Sequence, residues 1–155
     1  MQSLARLDRQ SVDLLQIHNQ IAAVDGDRVL SVDSVLGPGG VADALDAMRT
    51  KGQTRFIGFT ALGGTKNCLK VVESGRFDAA QVYYNVINPT AVRPNLGITT
   101  GQGFSGLIES CSASGVGVIV IRSMAAGVIV SASPIADPSI SRAIRTRMTK
   151  LARQA

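Results

Sequence analysis

The chain has 155 residues, with 16 basic against 11 acidic side chains and a formal charge of +5, which is one domain's worth of protein. Hydrophobic residues at 45% against 17% charged residues exclude a disordered or low-complexity chain, because such a composition buries a core. Cys68 and Cys111 make no CxxC pair, and the single histidine, His18, completes no zinc set, so neither a disulfide framework nor a metal site is expected.

In chain order, SLARL near the start reads as a short helix, and the polar, charged opening MQSLARLDRQ lacks the apolar core of a secretory signal. A reducing, cytoplasmic compartment is the expectation. The first apolar run is Val12 to Asn19, a strand by its composition. A long loop follows from Gln20 to Gly40. From Val41 to Lys51 the positions Val41, Leu45 and Met48 share one helical face, and Gly52 supplies a stop.

Thr54 to Thr60 reads as the second strand. TKNCLKVVESG then offers Thr65 as an N-cap, an apolar stripe through Leu69 and Val72, and Gly75 as its end. Cys68 on that stripe is a core residue. Phe77 to Asn85 is the third strand, followed by a second long loop from Val86 to Gly101. A helix is expected from Gln102 to Gly115 with Phe104, Leu107, Ile108 and Cys111 inward, and Val116 to Arg122 is the fourth strand.

The stretch Gly115 to Ala132 is apolar enough to suggest a membrane span. It falls short of the roughly 20 residues a bilayer requires, and Arg122 near its middle costs about 2.5 to 3.5 kcal/mol on insertion. A short parallel strand buried on both faces explains it better. Residues 138–155 read as an amphipathic helix with Ile140, Ile144, Met148 and Leu151 on one side and Arg142, Arg145, Arg147, Lys150 and Arg153 on the other. These five cations carry the whole net charge. A basic face can meet nucleic acid or anionic lipid, but a solvated face accounts for it, and nucleic-acid binding is not expected.

Alternating strands and helices, with short turns into strands and long loops out of them, predict an α/β fold: about four parallel strands alternating with helices. Residues 1–137 form this unit, and 138–155 belong to it. The strand ends carry His18 and Asn19, Thr60, then Gln81, Tyr84 and Asn85, and finally Arg122 and Ser123. Polar groups that end several apolar parallel strands on one rim are what a ligand site above the sheet requires.

The order and spacing of SLARLDRQSVDLLQIHN, GGVADALDAMRTKGQTRFIGFTALGG, RFDAAQVYYNVINP and GVGVIVIRSMAAG, from about Ser3 to Gly127, resemble the aldo-keto reductases. The resemblance implies a partial (β/α)8 TIM barrel, strands 4 to 7 of eight, from a family that reduces carbonyls, or oxidises alcohols and sugars, with NAD(P)H and usually NADPH. It implies that His18 hydrogen-bonds the substrate carbonyl, that Thr60 and Gln81 hold the nicotinamide carboxamide, and that Tyr84 stacks on the nicotinamide ring. Asn19 falls in the substrate pocket, where many members carry a tryptophan. Arg122 and Ser123 stand where the family has a serine and a proline beside the pyrophosphate, so an Arg–phosphate fork replaces the usual loop.

Tyr83 and Tyr84 are successive and face opposite ways on a strand, which leaves Tyr83 for packing. Gln81 and Tyr84, three apart, also face opposite ways unless the strand bends locally. The family's proton donor, a tyrosine made acidic by a lysine with an aspartate behind it, comes from strands absent here. The lysines at 51, 66, 70 and 150 lie on or beside predicted helices. The chain alone is therefore expected to be inactive and to bind the cofactor weakly. A four-stranded arc leaves two edges and an apolar face open; a separate N-terminal half, a second copy closing the barrel, or a partner of an inactive half-barrel module would cover it, and a truncated or decayed gene product is the plainest expectation.

Overall fold

The computed structural model describes residues 2–92 and 103–125. Eleven elements follow one another: α1 (Gln2–Arg6), β1 (Val12–Ile17), β2 (Gln20–Ala22), β3 (Val29–Ser31), α2 (Val32–Leu36), α3 (Val41–Thr50), β4 (Thr54–Thr60), α4 (Thr65–Glu73), β5 (Ala79–Tyr83), α5 (Leu107–Ala113) and β6 (Gly117–Ile121). The helix expected over 138–155 and the boundary at 137 lie outside the described residues.

The four long apolar runs form one sheet in the order β1-β4-β5-β6, parallel throughout. This is the α/β architecture of an arc of a (β/α)8 barrel. Parallel neighbours demand crossovers, and α3, α4 and α5 supply them. They cover one face of the sheet, where Ile17, Ile57, Phe59, Ala80 and Val82 are buried with Leu45, Val71, Val72, Leu107 and Cys111. Phe59 and Phe77 meet there in a tilted pair, 5.3 Å between centroids. Cys68 belongs to this core. Burial pushes its thiol up to about 12, and its S–H points to Leu62 O at 3.5 Å.

The other face of the sheet carries no helix among the described residues, and Phe56 is 45% and Ile119 39% exposed there. Gly117–Ile121 is a strand, but it lies at the sheet edge with Val118, Ile119 and Val120 exposed rather than buried on both faces, and no helix among the described residues is long and apolar enough to cross a membrane.

Three local expectations are corrected. The stretch from Gln20 to Gly40 is not an unstructured loop: β2 and β3 pair as a small parallel ribbon and lead into α2. Asp25 organises it, accepting from Ser31 N at 2.7 Å and from the Ser34 hydroxyl at 2.7 Å, while Ser31 Oγ caps α2 by accepting from Ser34 N at 3.0 Å. Gly64, not Thr65, is the N-cap of α4; the Thr65 hydroxyl donates instead to Gly103 O. The helix expected from Gln102 begins only at Leu107, because Gly106 holds a left-handed backbone with φ 82° and ends the preceding turn, and Phe104 is anchored before it by donating to Thr90 Oγ1 at 3.0 Å.

The Ser31 amide, and after it the Ser34 hydroxyl, hold the Asp25 carboxyl below its usual 3.8. Its folded pKa lies below the unfolded one, so its contribution is complete above the unfolded value and is lost as pH falls through the folded value. Denaturant unfolding measured between about pH 6 and pH 2 is expected to show a smaller acid loss of stability for Asp25→Asn than for the parent chain. Equal acid slopes would remove Asp25 from the account.

Candidate functional site

Parallel register decides which side chains meet. Gln16 pairs with Gly58 and Gly58 with Ala79, while Thr60 pairs with Gln81 and Gln81 with Ile119. Side chains alternate along each strand, so Gln16, Gly58, Thr60, Ala79, Gln81 and Ile119 share the face opposite the helices. His18, one residue past β1, continues the parity of Gln16.

On that face four polar side chains form one hydrogen-bonded line. His18 Nδ1 lies 3.1 Å from Thr60 Oγ1, Thr60 Oγ1 lies 3.1 Å from Gln81 Oε1, and Gln81 Nε2 lies 3.0 Å from Gln16 Oε1. The line crosses the C-terminal halves of β1, β4 and β5. Thr60 at its centre is buried at 1% exposure, Gln16 and Gln81 are half-buried, and His18 stands at the exposed end. A β-carbon on Gly58 would sit 2.8 Å from Ala79 O and 3.0 Å from the Gln16 amide. Glycine is the residue that lets the Gln16 amide lie flat over β4.

The structure thus brings together His18, Thr60 and Gln81, and adds Gln16. Asn19 stands beside His18 at the rim, half-buried. Tyr84 is not brought to this group. The ladder between β5 and β6 runs without a bulge through Tyr83↔Ile121, and Tyr84 N donates to Ile121 O at 3.3 Å. The local bend that a joint reach with Gln81 requires is absent, so Tyr84 leaves the strand on Val82's side and the residue on Gln81's side is Tyr83.

Tyr83 stacks on Phe104 at 5.0 Å, with the Arg122 guanidinium over its ring at 5.8 Å. Arg122 has φ 56° and an exposed side chain that joins this stack rather than the line. Its carbonyl accepts from Asn85 Nδ2 at 3.0 Å. Asn85 Oδ1 in turn accepts from Ile87 N at 2.9 Å and Asn88 N at 2.8 Å, so the asparagine of QVYYN builds the turn out of β5. Ser123 is exposed in the turn after β6.

A cleft of ≈ 500 Å³ lined by Leu14, Phe56, Phe77, Asp78 and Ala79 opens toward the other end of the strands, away from the polar line. Its one ionisable lining side chain, Asp78, is already engaged by Ile57 N and Arg49 Nη2.

Gln16 is the member of the line that reading the strand ends misses. The available signal is its parity: in a strand of otherwise apolar residues, a glutamine two positions before His18 occupies the same face and requires a partner.

The donor set is neutral: one imidazole, one hydroxyl and two amides. A carboxamide, itself one acceptor and a pair of donors, suits such a set, and Gln81 keeps one N–H and one lone pair beyond its two partners in the line. The residues present fit the nicotinamide end of a dinucleotide.

The chain matches the aldo/keto reductase family model over residues 1–149. A search of curated proteins finds no match.

Proposed function

Because the chain belongs to the aldo/keto reductase family, we propose that its rim serves an NAD(P)H-dependent oxidoreductase acting on small aldehydes and ketones, or on alcohols and sugars in reverse. The observation that carries the proposal is the line His18–Thr60–Gln81, drawn from three neighbouring strands into hydrogen-bond contact. Bound nicotinamide supplies the hydride. Gln81 and Thr60 hold its carboxamide, His18 orients the substrate carbonyl, Asn19 borders the pocket, and Arg122 and Ser123 stand on the pyrophosphate side.

Reduction also needs a proton donor. Tyr83 is occupied by Phe104 and Arg122, Tyr84 lies off the face, and Lys66 and Lys70 are on α4, with Lys51 at the end of α3. In this reading the acid comes from outside residues 1–155, these residues by themselves are inactive and bind NADPH weakly, and the working assembly is cytoplasmic. The open sheet face, with Phe56 and Ile119 exposed and β1 and β6 at its edges, favours a completing partner, either an N-terminal half-barrel or a second copy. It equally supports a second reading, an inactive half-barrel that serves only as an interaction module.

The test is NADPH consumption with a small aldehyde, by the purified chain and by the chain combined with a polypeptide supplying the family's tyrosine, lysine and aspartate strands. The chain alone is expected to show none. The combination is expected to turn over, with His18→Ala lowering kcat/KM on the order of 10²-fold. His18-dependent turnover by the chain alone contradicts the inactive state, and a stable combination without turnover leaves the interaction module as the better reading.

A further inference from the structure

The polar line has a direction, and the direction fixes what His18 offers. A hydroxyl has one proton, so Thr60 donates either to Gln81 or to His18, and the choice propagates to both ends. In one direction His18 Nδ1–H donates to Thr60, Thr60 to Gln81 Oε1, and Gln81 Nε2 to Gln16 Oε1. Gln16 Nε2 is then a buried donor with no acceptor, and a neutral His18 turns a bare Nε2 lone pair to solvent.

An amide turned through 180° fills the same space, so its orientation is decided by its hydrogen bonds. Turning both amides keeps every contact in the line at 3.0–3.1 Å and reverses it: Gln16 donates to Gln81, Gln81 to Thr60, and Thr60 to His18 Nδ1. The orphan atom becomes a carbonyl oxygen, which tolerates isolation better than an N–H does. His18 then carries its proton on Nε2, the outward nitrogen, because the bond made by one ring nitrogen sets the state of the other.

We propose that Gln16 is a positioning residue that polarises the Gln81–Thr60–His18 line toward the histidine and holds the imidazole as the neutral Nε2–H tautomer. The proposal deepens the reading above and rests on it for the use of that proton: an Nε2–H donates to a carbonyl oxygen, whereas a bare Nε2 repels it. The arrangement of the line itself does not depend on that use. Gln16 acts through Gln81 and Thr60, and its amide is seated by the absence of a β-carbon at Gly58.

His18 is the only histidine of the chain, so one imidazole signal reports on the line. Long-range ¹H–¹⁵N correlation on the labelled full-length chain, at a pH where the imidazole is neutral, is expected to show Nε2–H dominant. Gln16→Glu places a carboxylate that only accepts, reverses the line, and is expected to shift the tautomer ratio about tenfold toward Nδ1–H. In a Thr60→Val background, where the line is cut, Gln16→Glu is expected to leave the ratio unchanged. Gln81→Glu also forces Thr60 to donate away from His18, and gives the same shift if Gln16→Glu does not fold.

An Nδ1–H parent, or Glu variants with the parent's ratio, overturns the proposal. A shift that persists in the Thr60→Val background overturns it too, since the effect then travels outside the line. Failure of the reduction assay alone removes the proposed function and leaves these tautomer results standing, so the two failures are distinguishable.

Discussion

Replacing Gly63 with alanine is expected to cost roughly 3 kcal/mol or more of stability, among the larger effects of any single methyl group. Gly63 has φ 99°, and a β-carbon there would meet Ile21 O at 2.3 Å and Ile21 N at 2.7 Å. Both are backbone atoms of a residue with no exposed surface, and neither can retreat like the tip of a long side chain. They are also clamped, since Ile21 N donates to Leu62 O at 2.8 Å and Gly64 N donates to Ile21 O at 2.7 Å. The new methyl therefore breaks the seam that hangs the β2–β3 ribbon on the end of β4, immediately past Thr60.

Urea unfolding measures this directly. With a slope of about 1–3 kcal/mol per molar, the midpoint is expected to fall by about 1 M or more. Gly75→Ala is the control: its φ is 67° but nothing lies within 4 Å of the added carbon, so only backbone strain of about 1 kcal/mol is expected. Equal midpoints for the two variants would show that the clash is relieved without cost.

Gly63 also marks the boundary of what composition and periodicity reveal. The four long strands are legible because each is a run of Val, Ile, Leu and Ala bounded by turn residues, and β4 matches its expected bounds at both ends. The ribbon is not, because strands of three residues are too short to show a period. Only the spacing of Asp25, Ser31 and Ser34 hints at the capped turn they build. Helix starts err for a related reason: Thr65 is a good capping residue, but its hydroxyl is claimed by Gly103 O from another part of the chain, a contact no local rule contains.

At the site, the resemblance and the pleat give different answers for one residue. Family likeness picks Tyr84, while the alternation of side chains picks Tyr83. Backbone geometry decides, because β5 and β6 stay in register to the end and no bulge turns Tyr84 round. His18 and Thr60 are legible because they stand at the ends of apolar strands, whereas Gln81, in the middle of β5, is picked by the family likeness. Gln16, inside a strand, shows only once the lateral pairing Gln16↔Gly58 puts it beside Gln81.

The pairing of β4 with β5 is held at its lower end by Asp78, whose replacement by alanine is expected to cost about 2–3 kcal/mol. The Asp78 carboxylate accepts from Ile57 N at 2.8 Å and from Arg49 Nη2 at 2.8 Å. Its backbone N donates to Ile57 O at 2.9 Å, and its carbonyl accepts from Gly117 N at 2.8 Å. One residue thus joins β4, β5, β6 and α3. Alanine keeps the backbone bonds but strands the amide of Ile57, a residue with no exposed surface, which accounts for about 1–3 kcal/mol. The ion pair adds less, because Arg49 and Asp78 side chains are 37% and 36% exposed, where such pairs are worth about 0–1 kcal/mol.

Asparagine at position 78 retains an acceptor for Ile57 N and loses only the charge, so Asp78→Asn is expected to cost under about 1 kcal/mol. The difference between the two variants in unfolding free energy isolates the buried amide from the ion pair. If alanine and asparagine cost the same, the amide finds another acceptor and the anchoring role fails. If alanine costs more, as expected, the loss is felt where β4 and β5 are set level. That levelling, Gly58 with Ala79 and Thr60 with Gln81, brings the hydroxyl and the amide of the rim within reach of each other.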